Sequence, residues 1–298
     1  MIIGSGFFDF FKYLLDLEML QFALVAGILV GLLAPLIGTV VVIRRLSFIA
    51  DTLSHFSLAG VALGVYLGAL TENTWISTFV EPIWIGIIFS VVGTLLIEKL
   101  RGFYKNYKEL SMPIIMSLGV ALSGIFIALS DNGNKGRTNS LLFGSIYAVD
   151  SHDLIFIVLI TIIIFVIILI YYQKIITLCF DETYAKLSGI NVKAMQLMIT
   201  IVLALFISIF MEIIGVLLIS SLMILPVASS ILVADSFKKS CIFSILFSEI
   251  SVILGFVISY NVSVPTGSII VLINIIILTL IMTFKKIRKS IKKNPLSQ

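Results

Sequence analysis

The chain is predicted to be all-α, a polytopic integral membrane protein of about eight to nine transmembrane helices, and three observations carry that prediction. Its 298 residues are 60% hydrophobic and only 12% charged, with a mean hydropathy of +1.19; soluble domains carry about 25% charged residues. Apolar runs long enough to cross a hydrocarbon layer of about 30 Å as helices recur from end to end. The positive charge is gathered into alternate loops rather than spread over one face. The first two observations exclude a soluble enzyme. The third accounts for the pI of 9.0 without nucleic acid, because basic loops beside a bilayer meet anionic lipid. One transmembrane domain over 1–298 accommodates the whole pattern.

Taken in order, residues 1–19 place Phe7, Phe8, Phe10, Phe11 and Leu14 beside Asp9, Lys12 and Asp16. That mixture suits an amphipathic helix lying along the interface, and no basic region leads into an apolar stretch as a cleavable signal would require. Spans are expected near 20–43, 47–68, 79–97, 113–129, 154–172, 197–212, 214–234, 241–260 and 266–284. The gap between the sixth and seventh is so short that they read either as two spans or as one broken element. Residues 285–298 form a basic tail. Cys179 and Cys241 have no metal-type spacing and read as small hydrophobes.

Charge tests this layout. With the N-terminus outside, the loops holding Arg44–Arg45, Lys99 to Lys108, Lys174 to Lys193 and Lys238–Lys239, together with the tail, share one side. They contain 17 of the 20 Lys and Arg residues, leaving Lys12, Lys135 and Arg137 opposite. The positive-inside rule makes the crowded side cytoplasmic.

Against this background Asp51 and His55 stand out. A carboxylate inside the membrane costs at least a few kcal/mol, about 2.5–3.5 on the mildest scales, unless it is paired or functional. At i and i+4 the two side chains share a helix face and offer one oxygen and one nitrogen, a combination suited to a divalent transition metal. At about 1.5 Å per residue they lie roughly 9 and 15 Å beyond Arg45, which puts His55 near the bilayer midplane. Gly60, Gly64 and Gly68 repeat at i+4 as a small-residue stripe for close helix packing, and Gly60 points roughly 140° away from His55 at 100° per residue. The alternative reading of the pair is a hydrogen bond that ties helices together.

Other polar positions are weaker candidates. Glu249 lies at comparable depth in the eighth span, as a third metal ligand, a proton carrier, or a structural hydrogen-bonding group. Glu212 sits at an outer span end. His152 lies beside Asp150 and Asp153 in an outer loop, a cluster that reads either as an aid to metal capture or as an ordinary solvated loop. Thr52 and Ser54 either supply oxygens near the pair or bond back to their own helix. A cytoplasmic loop carries Asp181 and Glu182, suited to a helix N-terminus, and Gly189, suited to its stop. Between them Ala185 keeps one face small enough for another protein to approach.

Several of these segments resemble metal ABC transporter permeases of the zinc/manganese/iron uptake branch. The run Arg44-Arg45-Leu-Ser-Phe-Ile-Ala-Asp51-Thr-Leu-Ser-His55 through Gly64 is similar to their signature. So are Asp181-Glu182-Thr-Tyr-Ala185-Lys-Leu-Ser-Gly189, Gly215 through Pro226, Ser259 through Gly267, and Leu142-Phe143-Gly144-Ser145. The Tyr107-Lys-Glu109-Leu-Ser-Met stretch brings the chain nearest to zinc-type permeases of Gram-positive bacteria. The resemblance implies the metal ABC-importer permease fold and a homodimer in the bacterial cytoplasmic membrane, working with a cytoplasmic ATP-binding subunit and an extracellular metal-binding lipoprotein. It implies that Asp51 and His55 coordinate the passing metal and that the 180–191 loop is the coupling helix, with Asp181, Glu182, Ala185 and Gly189 meeting the ATPase. Glu249 and Glu212 are not part of that pattern.

No G-x-x-x-x-G-K-[ST] phosphate loop occurs in the chain, so ATP hydrolysis is expected on the partner and no permanently bound cofactor is expected. The transported ion is expected to be Zn²⁺, with Mn²⁺ or Fe²⁺ as the alternative within the same branch. Two further readings are an ion-coupled secondary transporter using Glu249, and a permease for metal chelates in which the Asp/His pair is structural.

Overall fold

The computed structural model describes residues 17–70, 81–104, 106–130, 149–262 and 264–293. They form ten α-helices: α1 Glu18–Ile43, α2 Ser47–Leu70, α3 Pro82–Phe103, α4 Ser111–Ser130, α5 Ser151–Phe180, α6 Glu182–Leu187, α7 Val192–Ile214, α8 Val216–Val233, α9 Phe237–Val262 and α10 Thr266–Lys293. A 3₁₀ turn at Lys108–Leu110 leads into α4. Among the described residues there is no strand, and nine helical segments are long and apolar enough to cross a membrane.

The expected interfacial helix at 1–19 falls almost wholly outside the described residues, and its last two positions, Glu18 and Met19, open α1 instead. Residues 142–145 also lie outside. The basic tail is not separate from the last span over its described part: α10 carries straight on to Lys293, and Lys285 Nζ donates to the Leu232 carbonyl at 2.7 Å.

Burial sorts the helices into inner and outer ones. Two-thirds of the most apolar window is buried in α1 and α7, but only 22% in α4, α5 and α10, which therefore turn apolar surface outward from the bundle. The core is filled by Leu33, Phe206, Phe210 and Phe256, all fully enclosed. Helix α1 packs on α8 and α9, α8 and α9 pack on each other and on α10, and α2 sits between α3 and α4. The crossing of α1 and α8 is so close that a Cβ at Gly38 would strike the Met223 carbonyl.

The sixth and seventh spans are separate helices. Gly215 divides them at φ 90°, ψ 154° while its N–H still closes the last turn onto the Met211 carbonyl at 2.8 Å. Only glycine takes that backbone without strain. Helix α9 turns a row of hydroxyls toward its neighbours: Ser240 bonds Ser230 of α8 (2.8 Å), Ser244 meets Thr39 of α1 (3.4 Å), and Ser251 donates to Asn274 of α10 (2.9 Å). Ser259 closes the α9–α10 turn through the Val264 carbonyl (2.6 Å) and the Thr266 hydroxyl (2.8 Å).

Candidate functional site

Three contacts fix the rotation of α2. On one side, a Cβ at Gly60 would lie 2.7 Å from the Ile85 carbonyl and one at Gly64 2.7 Å from Pro82 Cα, so α3 packs directly on the glycines. The close approach ends there, because no described atom lies within 4 Å of a Cβ at Gly68. On a second side, Gly119 of α4 lets the α2 backbone come within 2.9 Å of its Cβ position at Phe56 and 3.0 Å at His55. Thr52 Oγ1 bonds across this contact to the Met112 carbonyl at 3.2 Å. On the third, Ser57 donates to Ser208 of α7 at 3.0 Å, and Ser208 donates to Ser90 of α3 at 2.6 Å, all buried.

The sector of α2 left by these contacts carries Asp51 and His55. Both are half-buried, and neither makes a hydrogen bond or ion pair to another described residue. Away from Arg45, Leu58 and Ala62 on the same face are buried at 2% and 1% exposure, so the opening is bounded on that side. Toward Arg45, Phe48 is 66% exposed. A carboxylate and an imidazole one turn apart, without partners among the described residues and inside a membrane, can bind a cation that passes. Ser54 and Thr52 donate back to the Ala50 and Phe48 carbonyls at 2.8 Å, so their hydroxyl hydrogens are turned toward their own helix.

Glu249 does not join the pair. It lies on α9 against α1, where a Cβ at Gly31 would sit 2.9 Å from its Oε1, and that oxygen is buried without a hydrogen-bond partner among the described residues. No three His, Cys, Asp or Glu side chains converge among the described residues. The side chains of Glu212, His152 and Asp153 lie outside them.

The second constellation folds as α6. Asp181 is its N-cap, with Oδ1 accepting from the Thr183 and Tyr184 amides at 2.8 and 3.0 Å. Gly189 ends it at φ 79°. The Ile190 amide reaches the Ala185 carbonyl and the Gly189 amide reaches that of Lys186, the paired bonds of a Schellman stop. Glu182 faces solvent in an ion pair with Lys186 at 3.5 Å. Ala185 points the other way from the sequence-based expectation: it is fully buried against Val40, Leu178 and Met195, so its small size seats α6 on the bundle. The outward face belongs to Tyr184 and Leu187, 60% and 83% exposed. Sequence reading passed over them, although their spacing from Ala185 already places them off its face.

A bundle of membrane-spanning helices, with an intramembrane Asp/His pair that has no partner among the described residues and a rigidly capped helix in a loop, is the architecture of a polytopic transport protein. Residues 16–285 match the ABC 3 transport family, and the chain belongs to that family. It is 31% identical over 93% of its length, and 99% of the relative's, to a Treponema pallidum (strain Nichols) protein described as a probable metal transport system membrane protein. It is 27% identical to the manganese transport system membrane protein MntC of Listeria monocytogenes serovar 1/2a, over 92% of this chain and 94% of that one. It is 32% identical to the high-affinity zinc uptake system membrane protein ZnuB of Buchnera aphidicola subsp. Acyrthosiphon pisum, over 83% and 90%. Among solved structures, PsaBC from Streptococcus pneumoniae in complex with Fab superposes with a TM-score of 0.80 at 27% identity, covering 92% of this chain and 94% of that one.

Proposed function

We propose that this chain is the membrane-spanning permease subunit of an ATP-driven importer that carries a divalent transition metal, Zn²⁺ in the first place, across the bacterial cytoplasmic membrane. The observation that carries this is the Asp51/His55 pair, held half-open by three packing contacts yet without a partner among the described residues. A structural pair would bond to a neighbouring helix. Two ligands per chain, fewer than a closed tetrahedral set, hold a metal loosely enough to let it go, as conduction requires. Relatives named for zinc and for manganese support the metal class. One imidazole with one carboxylate accepts either ion, and zinc is the choice we put to the test.

The 180–191 segment serves as the coupling helix for a cytoplasmic ATP-binding subunit. Glu182, Tyr184 and Leu187 meet that subunit, while Asp181, Ala185 and Gly189 hold the helix in place. An extracellular metal-binding lipoprotein delivers the ion.

The test is uptake of radioactive zinc and manganese in cells lacking the native gene, complemented with wild type, Asp51→Ala or His55→Ala at equal membrane expression. Wild type should restore zinc uptake, and both variants should abolish it while remaining assembled. Normal transport by the variants would make the pair structural. Restoration of manganese but not zinc would reassign the ion.

A further inference from the structure

At the cytoplasmic edge, the ends of α1, α3, α5 and α6 enclose an open-sided cavity of about 580 Å³. Its charged lining is Arg44, Arg45, Arg101 and Lys108 against Glu98 and Glu182. Both carboxylates are already engaged, Glu98 with Arg101 Nη1 at 3.2 Å and Glu182 with Lys186 at 3.5 Å. The Arg44 guanidinium makes no hydrogen bond or ion pair to a described residue, and Arg101 Nε is buried without an acceptor. Burial lowers the Arg44 pKa and outweighs the opposing pull of Cys179 and Glu182, with the Arg101 charge a smaller push in the same downward direction. Arg45 holds a left-handed backbone at φ 57°, a conformation that glycine adopts more cheaply. Cationic groups with unused donors therefore face one space, and uncompensated buried donors are costly.

We infer that this cavity is a binding site for a phosphate-bearing anion, held between the Arg44 and Arg101 guanidiniums with Arg45 and Lys108 at its rim. Guanidinium forks match phosphate oxygens two at a time, and the volume suits a small ligand or headgroup. The same excess of positive charge repels a divalent cation, so the cavity is not an extension of the Asp51/His55 path, and the inference stands independently of the metal reading. The phosphate has two possible sources, an anionic lipid headgroup from the inner leaflet or a soluble phosphate compound.

The experiment uses the full-length chain with its co-purifying subunits, stripped of lipid and placed in nanodiscs of phosphatidylcholine or of phosphatidylglycerol. Inorganic pyrophosphate is titrated into the phosphatidylcholine discs. Melting temperature and lipid retained in native mass spectrometry are read for wild type, Arg44→Gln, Arg101→Gln and Arg44→Lys, with Arg288→Gln on the exposed end of α10 as a charge-matched control. Stabilisation by phosphatidylglycerol that is lost in both Gln variants and kept in the control assigns a headgroup. Stabilisation by pyrophosphate with the same pattern, and affinity reduced roughly tenfold or more in the Gln variants, assigns a soluble phosphate. Arg44→Lys should retain part of either response, and Arg101→Gln carries the test if Arg44→Gln does not assemble. No stabilisation by either probe, or equal stabilisation of wild type and both Gln variants, overturns the inference. So does loss of the co-purifying subunit from the Gln variants without any anion response, because an acidic segment of the partner would then fill the cavity.

Discussion

Gly119 is the position where the smallest change should reach the Asp51/His55 pair from outside. A methyl group there would lie 2.9 Å from the Phe56 backbone and 3.0 Å from the His55 carbonyl carbon, against ordinary contact at 3.4 Å or more. The neighbour is backbone and cannot swing away, so α2 must retreat by about 0.5 Å, the difference between those distances. Metal–ligand distances in well-formed sites fall within about 0.2 Å of their standard values. In stability the effects partly offset: overpacking costs about 1–3 kcal/mol, while Gly to Ala in a helix returns about 0.8–1 kcal/mol. Gly119→Ala is therefore expected to assemble with at most about 2 kcal/mol of destabilisation, yet to lose most zinc uptake through a raised KM. Gly124→Ala on the same helix is the control, since a Cβ there meets nothing within 4 Å. Metal uptake kinetics and melting of the purified protein measure both quantities. If Gly119→Ala transports zinc with wild-type KM and rate, the backbone at His55 does not set the geometry of the site and the reasoning fails.

Gly38→Ala forces a methyl group onto the Met223 carbonyl, backbone against backbone, and should lower the yield of folded protein in size-exclusion chromatography well below that of Gly124→Ala. Gly189→Ala meets no atom within 4 Å, so its cost comes only from the positive φ, about 1–2 kcal/mol. Gly189→Asn should recover part of it, and hydrogen exchange of the α6 amides reads the difference. Asp181→Ala leaves the Thr183 and Tyr184 amides without their acceptor and should cost about 1 kcal/mol, with Asp181→Ser close to wild type in the same exchange experiment.

Helix ends were harder to read than helix existence. Hydropathy located nine spans but stopped the fifth at 172, whereas α5 runs on to Phe180, and it began the sixth at 197 where α7 starts at Val192. Apolar windows mark the part of a helix inside lipid. Beyond it, Gln173 and Lys174 end the apolar run while remaining good helix formers. The i, i+4 spacing of Asp51 and His55 was legible because helical geometry is local. Their open sector was not, since it depends on Gly119, Ser208 and Pro82 from three other helices. Ala185 was misread for a related reason: a small residue states only that something is close, and in a six-residue helix either the bundle or a partner could be that neighbour. Ile190, its partner in the Schellman stop, carries the apolar hint that the bundle was meant. The basic cavity drew on loops too far apart in sequence for any pattern to join them.

The seating of α9 separates two mechanical tasks. Its serines recur every three or four residues, and each cross-helix hydroxyl bond in a membrane is worth only about 0.6 kcal/mol, so a slip of one turn would bring another serine to the same height. Hydroxyls alone thus choose which side of α9 faces inward without choosing its elevation. Elevation is set by notches: Gly27 admits the Phe256 ring, Gly31 admits Glu249, and Gly255 admits Ile270, each a recess that fits at one height. Azimuth and elevation are accordingly encoded by different residue types, and a bulkier residue at a notch should shift α9 along its axis where a serine replacement would leave its height unchanged.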